Sequence, residues 1–298
     1  MNINDTLVLE STPRMDGGAM LLGFSGWMDG AEVSTGALAY LAEKLKARRI
    51  GEIRSGHFYI LNVPGSMEIT ALFRPSARIE DGLVKSLDMP RNEFFAAEDA
   101  KLLLFRGKEP NVGWELYADH LLDTAKRCGI SDIYFMGSVG SVVPHTRDPV
   151  FWSTMTSEAL RDRLATHGIS PTNYEGPASF ATYFSMRAKD AGLNMATLVA
   201  GIPSYIEGRN PRCIEAMLTK LGEILGRTFD LSDLEAQRRE FLDGVQVAMT
   251  KNPKLTERIQ QLEKLYDNEV SGETTEEPKS ADDSALKNWF ERQNIKLD

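Results

Sequence analysis

Cysteine and histidine are scarce in this sequence. Two of the 298 residues are cysteines, Cys128 and Cys213, and they lie far apart in helix-like contexts. The four histidines are His57, His120, His145 and His167. Neither set has the spacing of zinc ligands, and two distant cysteines do not build a disulfide framework. The sequence therefore predicts no metal site, and we also expect no cofactor.

Long apolar runs and an excess of positive charge are missing as well. No stretch approaches the roughly 18 uninterrupted apolar residues of a membrane-spanning helix. The first five residues, Met1 to Asp5, lack the basic region and the apolar run of a signal peptide. We therefore expect a cytoplasmic protein with no membrane partner. Acidic residues outnumber basic ones by 43 to 34 and the net charge is -9, which argues against nucleic acid as a partner.

The residues that are present alternate between short apolar runs and amphipathic windows. At 42% hydrophobic and 26% charged, the chain has the composition of a globular protein. This alternation predicts an α/β domain with helices on both faces of a sheet. We predict strands at Thr6–Leu9, Ala19–Phe24, Glu52–Leu61, Ala100–Phe105, Asp132–Met136 and Met195–Ala200. We predict helices at Glu32–Arg48, Trp114–Arg127, Thr156–Thr166, Ser179–Ala191 and Pro211–Leu225.

From Phe229 to Tyr266 the pattern is purely helical. Ser232 and Glu235 have the spacing of a capping box, and Asn252 before Pro253 is typical of a helix start, so two helices are predicted. The second helix carries an apolar seam. The seam residues are Leu255, Ile259, Leu262 and Tyr266. Two heptads do not hold together alone, so we expect this pair to pack on the α/β domain or on a neighbouring subunit.

The last part of the chain is first acidic and then briefly amphipathic. Residues Asp267 to Asp283 contain seven acids and one lysine, which predicts a flexible linker. After it, Leu286, Trp289 and Phe290 form a short stripe on a predicted terminal helix. The predicted organisation has four parts. They are an α/β core at 1–228, a helical extension at 229–266, the acidic linker at 267–283 and the amphipathic helix at 284–298.

Three glycine-rich turns follow predicted strands, where open α/β sheets bind ligands. They are Gly23 to Gly30, Gly137 to Ser141, and Gly201 to Tyr205. None matches a dinucleotide, nucleoside triphosphate or esterase motif. The candidate ligand-binding residues in these turns are Gly26, Trp27, Asp29, Gly137, Ser138 and Pro203. The alternative for each turn is a simple chain reversal, and for Asp29 with Glu32 it is an N-cap box.

A polar cluster follows the second turn, from Val143 to Pro149. In it, His145 is a candidate general base and Arg147 a candidate anion contact. The alternative is a self-capped loop in which Asp148 pairs with Arg147. Glu175, just before a Gly-Pro pair, is a further candidate that faces either a pocket or solvent. No residue is assigned a catalytic role.

Five short motifs, read in order, resemble one family. They are Gly26-Trp27-x-Asp29-Gly30 with Thr35-Gly36, Gly107-Lys108-Glu109-Pro110-Asn111 with Trp114, Val143-Pro144-His145-Thr146-Arg147, Tyr174-Glu175-Gly176-Pro177, and Gly201-Ile202-Pro203-x-Tyr205. Over about Leu7 to Leu225 the chain resembles the bacterial branch of the proteasome assembly chaperone two family. The resemblance implies a three-layer α/β/α domain similar to the nucleoside phosphorylase and hydrolase fold, which self-associates, often as a trimer. For eukaryotic and archaeal relatives it implies binding of proteasome α subunits without catalysis.

The resemblance and the residues together predict a non-enzymatic assembly chaperone or interaction protein. We expect a homo-oligomer, with a trimer as the expected state. A possible protein partner is a ring-forming protease subunit. Docking through a tail that ends in a hydrophobic residue, a tyrosine and one further residue is not expected, since the sequence ends Lys296-Leu297-Asp298. An ATP-dependent ligase activity is not expected either, because a glycine-rich lid with basic residues is missing.

The alternative is a small-molecule enzyme of the nucleoside hydrolase or phosphorylase type. That fold binds nucleosides at strand ends. The candidate phosphate, base and ribose contacts are Gly26, Trp27, Met28, Arg147 and Glu175. The two functions differ in geometry, because catalysis requires these side chains to converge on one cleft, whereas scattered positions favour protein binding.

Overall fold

The computed structural model of the chain describes residues 6–206 and 208–271. The strands in this part of the chain are β1 Leu7–Leu9, β2 Gly18–Ser25, β3 Arg48–Ile53, β4 Ser76–Glu80, β5 Leu83–Asp88, β6 Glu93–Ala97, β7 Leu102–Lys108, β8 Ile130–Ser141, β9 Phe151–Ser153, β10 Ser170–Pro171 and β11 Asn194–Pro203. The helices are α1 Val33–Lys44, α2 Met67–Ala71, α3 Trp114–Arg127, α4 Glu158–Ala165, α5 Phe180–Asp190, α6 Pro211–Leu225, α7 Ser232–Lys251 and α8 Pro253–Ser271.

A nine-stranded mixed sheet forms the centre of the fold. Its strand order is β1-β3-β6-β7-β2-β8-β11-β9-β10, and β4 and β5 form a separate two-stranded sheet. The four central strands β7, β2, β8 and β11 are parallel. Antiparallel partners flank them, β6 beside β7 and β9 beside β11. The predicted α/β class is therefore confirmed as a mixed α/β fold with a large sheet.

Side chains of the central strands feed two hydrophobic clusters, because successive residues of a strand point to opposite faces. In β2, Leu21 belongs to the cluster that includes Leu41 of α1 and Leu218 of α6. Its neighbour Leu22 belongs to the cluster that includes Leu121 of α3 and residues of α5. This explains why β2 reads as a continuous apolar run, since it is buried on both sides.

The predicted strand at Glu52–Leu61 is wrong. Strand β3 ends at Ile53, and a short 3-10 turn follows at Ser55–His57. Phe58, which made the sequence look strand-like, is fully buried and packs edge-on against Tyr117 with ring centroids 5.0 Å apart. The turn places the Phe58 ring in the core. Phe58 is therefore buried without belonging to a paired strand. The predicted helix at Glu32–Arg48 also ends early, at Lys44, because Lys46 has a positive φ of 48° and Arg48 begins β3.

The helical pair is present and both helices begin where predicted, but only one of the two predicted side-chain caps is observed. Asn252 accepts a hydrogen bond from the Leu255 amide at 3.3 Å, as predicted. Ser232 does not cap α7, because Asp230 accepts hydrogen bonds from both the amide and the hydroxyl of Ser232. Helix α8 continues to Ser271, so the first five residues of the predicted acidic linker are helical. The rest of that linker and the predicted terminal helix lie outside the described residues.

Two further observations complete the fold. No helix among the described residues is long and apolar enough to cross a membrane. Cys128 and Cys213 are both buried and not disulfide-bonded. Burial raises the pKa of both thiols, to about 12 for Cys213.

Candidate functional site

A cleft opens where the chain leaves the sheet in opposite directions from two neighbouring strands. After β2 the chain enters α1, which packs on one face, and after β7 it enters α3, which packs on the other. Such switch points create a crevice beyond the carboxyl ends of the strands. The cleft here has a volume of about 370 Å³. It is lined by Gly26, Trp27, Lys108, Glu109, Pro110, Asn111, Trp114, Ala178 and Ser179.

The Glu109 carboxylate accepts hydrogen bonds from two backbone amides at this cleft. Its Oε2 accepts a hydrogen bond from the Trp27 amide at 3.2 Å, and its Oε1 accepts one from the Phe180 amide at 2.7 Å. Phe180 is the first residue of α5, where backbone amides and the helix dipole favour an anion. The amides that would bind a phosphate therefore already bind a carboxylate of the chain itself. Gly26 allows this approach, with φ of 135° and little room for a side chain beside Glu109.

Asp29 anchors the start of α1. Its two carboxylate oxygens accept hydrogen bonds from the Thr35 amide at 3.1 Å and the Thr35 hydroxyl at 2.7 Å. Burial raises the pKa of Asp29, and the bonds from Thr35 partly offset that rise. The predicted N-cap box with Glu32 is wrong in its partner, because the side-chain bonds go to Thr35. Asp29 thus holds the turn after β2 against α1.

Gly137 and Ser138 lock the same turn from the neighbouring strand β8. The Ser138 amide donates to the Met28 carbonyl at 2.9 Å, and its hydroxyl donates to the Gly30 carbonyl at 2.7 Å. An isolated parallel bridge between Asp29 and Ser138 extends the pairing of β2 with β8. A side chain at Gly137 would collide with the ring of Phe135. These residues fix the geometry of the turn.

His145 joins the turn after β8 to the turn after β11, just beyond Pro203. The Tyr205 hydroxyl lies 2.7 Å from the His145 amide and 2.8 Å from its Nδ1. Burial and the Arg212 guanidinium lower the pKa of His145, and burial raises the pKa of Tyr205 to about 12. The imidazole is buried within the protein, where it connects two loops.

Arg147 binds helix α8. Its Nε and Nη2 donate to the two carboxylate oxygens of Asp267 at 2.8 and 2.7 Å, a bidentate pair. This pair lowers the pKa of Asp267. Nearby, Thr146 donates to Glu263 at 2.5 Å, and the Tyr266 hydroxyl donates to the Asp148 carbonyl at 2.9 Å. The predicted pair of Arg147 with Asp148 is not observed, since Asp148 pairs with Arg212 at 3.0 Å.

The candidate residues therefore fall into separate groups. Gly26 and Trp27 line the cleft, whereas Asp29, Gly137 and Ser138 bind one another beside it. His145 and Arg147 belong to the loop after β8, Pro203 ends β11, and Glu175 is exposed on its own. The cleft is lined by none of the candidates beyond the first two. In the described part of the chain, no group of three or more His, Cys, Asp or Glu residues is placed to hold a metal ion.

Sequence reasoning missed the residues that organise the site. Glu109, Thr35 and Tyr205 were noticed only as letters of the motifs that carry the family resemblance. The roles of Glu109 and Tyr205 depend on partners far away in the chain, 71 residues for Phe180 and 60 for His145. A signal was available for Thr35 alone, since an aspartate before a helix often accepts a hydrogen bond from an amide in the first turn.

The comparisons with known proteins agree with one another. The PAC2 family model matches residues 23–249. A proteasome-assembly chaperone homologue from Mycobacterium tuberculosis is 26% identical, with a TM-score of 0.69 over 81% of this chain and 99% of that one. A PAC2 family protein from Streptomyces avermitilis is 23% identical, with a TM-score of 0.66 over 77% and 94%. An archaeal proteasome activator from Pyrococcus furiosus is 20% identical, with a TM-score of 0.62 over 82% and 98%. The last two likenesses establish the shared fold alone. A search of the curated proteins finds no match to the chain.

Proposed function

This chain belongs to the PAC2 family, and we propose that it is a non-enzymatic assembly chaperone or interaction protein that binds proteasome subunits. The observation that carries the proposal is the match to the Mycobacterium tuberculosis proteasome-assembly chaperone homologue, which is aligned over 99% of its length. The resemblance predicted from the motifs is confirmed by the family match. We therefore propose for this chain the role for which the Mycobacterium tuberculosis homologue is named, which is proteasome assembly.

The site supports binding of a protein more than binding of a small anion. The amides at the switch point are already satisfied by Glu109, and the Arg147 guanidinium is already paired with Asp267. Neither group is left to hold a phosphate. No specific observation favours the nucleoside hydrolase or phosphorylase alternative.

We place the binding surface at the edge of the sheet where the central parallel strands end. Trp27 follows β2 and Tyr174 precedes α5, and these two aromatic side chains are 68% and 66% exposed. Val112 after β7 and Val142 after β8 are exposed on the same edge. Exposed tryptophan and tyrosine side chains dominate the binding energy of many interfaces. We infer that Trp27 is an anchor that inserts into a pocket of the partner.

The test measures binding of the full chain to the proteasome α subunits of its own source by sedimentation velocity. We expect a complex with the wild-type protein and at least a roughly 30-fold weaker one with Trp27→Ala, since hot-spot residues cost about 2 kcal/mol or more. Met186→Ala is the matched control, because Met186 is 67% exposed on α5 and outside the proposed surface. It should bind as the wild type does.

The outcomes separate the function from the surface. If the wild-type chain forms no complex at tens of micromolar, the proposed function is wrong. If it binds and Trp27→Ala binds equally well, only the surface is wrong. The melting temperature of Trp27→Ala should stay near that of the wild type, because most of the indole is in solvent.

Several finer features are part of the same proposal. We propose a three-layer α/β/α arrangement like that of the nucleoside phosphorylase and hydrolase fold, followed by a helical extension, with the domain boundaries given above. We also propose a cytoplasmic location and self-association, with a trimer as the expected state. Two residues of the α8 seam, Ile259 and Leu262, are buried within the single chain, so they are not available for contact between subunits.

A further inference from the structure

An insertion between β3 and β6 carries a concentrated apolar surface. Of the sixteen large hydrophobic residues that are exposed in the described part of the chain, nine lie between positions 60 and 87. They include Met67 and Leu72 around the short helix α2, and Ile79, Val84 and Leu87 in the β4–β5 hairpin. A patch of this kind on a globular protein marks an interaction surface.

The β4–β5 hairpin lacks a covering element in the described structure. The two strands pair with each other and belong to no other sheet. Every residue of both strands is exposed. A two-stranded hairpin on its own is at best marginally stable in water. The hairpin therefore needs a partner on at least one of its faces.

A bulge gives this hairpin one apolar face. Ala77 pairs with Leu87, and Ile79 pairs with Val84, so these four side chains share a face. The register shifts between Arg78 and Ile79. Without that shift, the residue opposite Ile79 would be Lys85, which would place a charge in the middle of the face. The bulge excludes the lysine from the apolar face.

The charge of this segment distinguishes between possible occupants. Residues 60–91 contain four basic and four acidic residues, so they are neutral, whereas the whole chain carries a net charge of -9. The net negative charge therefore lies outside the segment. A contact between two copies through this segment therefore brings no net charge together. Charges of both signs are interspersed in the segment, so opposite charges of two copies can pair across a contact.

We propose that the apolar face of the β4–β5 hairpin binds a second copy of this chain. The inference rests on the proposed self-association and identifies the surface responsible for it. The hairpin face alone is smaller than the roughly 800 Å² per partner that a standard stable interface buries, but together with the exposed side chains around α2 the segment reaches that order. In the oligomer, Ile79, Val84 and Leu87 leave solvent.

The test introduces charge into this face of the full-length chain. The double variant Ile79→Glu with Val84→Glu is compared with the matched double variant Met186→Glu with Leu265→Glu, which adds the same charge at exposed apolar positions elsewhere. Sedimentation velocity between about 1 and 100 µM gives the masses. We expect the wild type and the matched variant to sediment as oligomers. The hairpin variant should sediment as the 33.2 kDa monomer, with a dissociation constant raised at least about 30-fold.

Hydrogen exchange of the wild type provides a second readout that needs no variant to fold. The amides of residues 76–88 should be protected more strongly at 100 µM than at 1 µM, since association covers the hairpin.

Each contrary result identifies what is wrong. A monomeric wild type at 100 µM overturns self-association altogether. An oligomeric hairpin variant overturns the hairpin surface alone, and if that variant also loses binding to proteasome subunits, the occupant is the heterologous partner. The amides of residues 76–88 could instead be protected equally at all concentrations and lose that protection when residues 284–298 are deleted. In that case the chain's own terminus covers the face, and the proposal is wrong.

Discussion

Replacing Ile259 with alanine tests whether α8 belongs to the core of the single chain. Ile259 is 1% exposed, and its seam neighbour Leu262 is also buried. On the same helix, Leu265 is 59% exposed. The two substitutions Ile259→Ala and Leu265→Ala remove the same number of carbon atoms from buried and exposed positions of one helix. The difference between them measures docking of α8.

The magnitude follows from the atoms removed. Three carbon groups at about 0.8 kcal/mol each, with a further cost for the cavity, give about 3 kcal/mol for Ile259→Ala. Exposed Leu265→Ala should cost about 0.5 kcal/mol or less. Helix α8 is the last described helix and connects to α7 through a single residue, Asn252. We therefore expect the loss to appear as local undocking of α8 rather than as unfolding of the sheet.

The assay is native-state hydrogen exchange of residues 253–268. A loss of 3 kcal/mol corresponds to a roughly 100-fold larger population of undocked α8, and exchange there should accelerate by about that factor. Exchange in α3, which packs on the face of the sheet opposite α1 and α6, should stay unchanged. If Ile259→Ala and Leu265→Ala accelerate exchange of α8 equally, the helix is not docked through this seam and the reasoning is refuted.

Two further predictions concern ionisable groups. Burial raises the pKa of Asp29, so a neutral isostere suits its site. In urea denaturation, Asp29→Asn should change the free energy of unfolding by less than about 0.5 kcal/mol. Asp29→Ala should lower it by about 1 to 2 kcal/mol, because the hydrogen bonds from Thr35 are lost. Equal losses in the two variants would contradict this role. Burial and Arg212 lower the pKa of His145, so the unfolded chain binds more protons and the stabilisation by neutral His145 is present above pH about 6.5 and lost as the pH falls below it. The melting temperature should therefore drop less between pH 7 and pH 5 in His145→Asn than in the wild type, and parallel curves would speak against the assignment.

The central strands and most helices could be predicted because their signals are local. Helices α3 and α6 begin and end at the predicted residues, since each has a long apolar stripe and clear end signals. The hairpin of β4 and β5 was missed because its bulge breaks the alternation of apolar residues, so Val84 and Leu87, which share a face, stand three residues apart in the sequence. Its turn did carry a signal, Asp81-Gly82, and both residues have the positive φ that such a two-residue turn requires.

The position of the candidate site could be predicted from the sequence, but the ion pairs around it could not. Turns after parallel strands meet at one edge of a sheet, so Gly26 and Trp27 were identified from the pattern of strands and glycines. The partners of the charged residues have no such pattern. Arg147 binds Asp267, 120 residues further along the chain, and its sequence neighbour Asp148 binds Arg212. Contacts of this range depend on how helices dock, which the spacing of residues does not encode.

The central claim is that the chain acts by binding proteasome subunits. The most direct test is affinity purification of the full chain from its native cells, with co-purifying proteins quantified by mass spectrometry and Trp27→Ala as the matched bait. The account predicts that proteasome α subunits are enriched with the wild-type bait and reduced at least severalfold with Trp27→Ala. If proteasome subunits are no more abundant with the wild-type bait than with an unrelated protein, the account is contradicted.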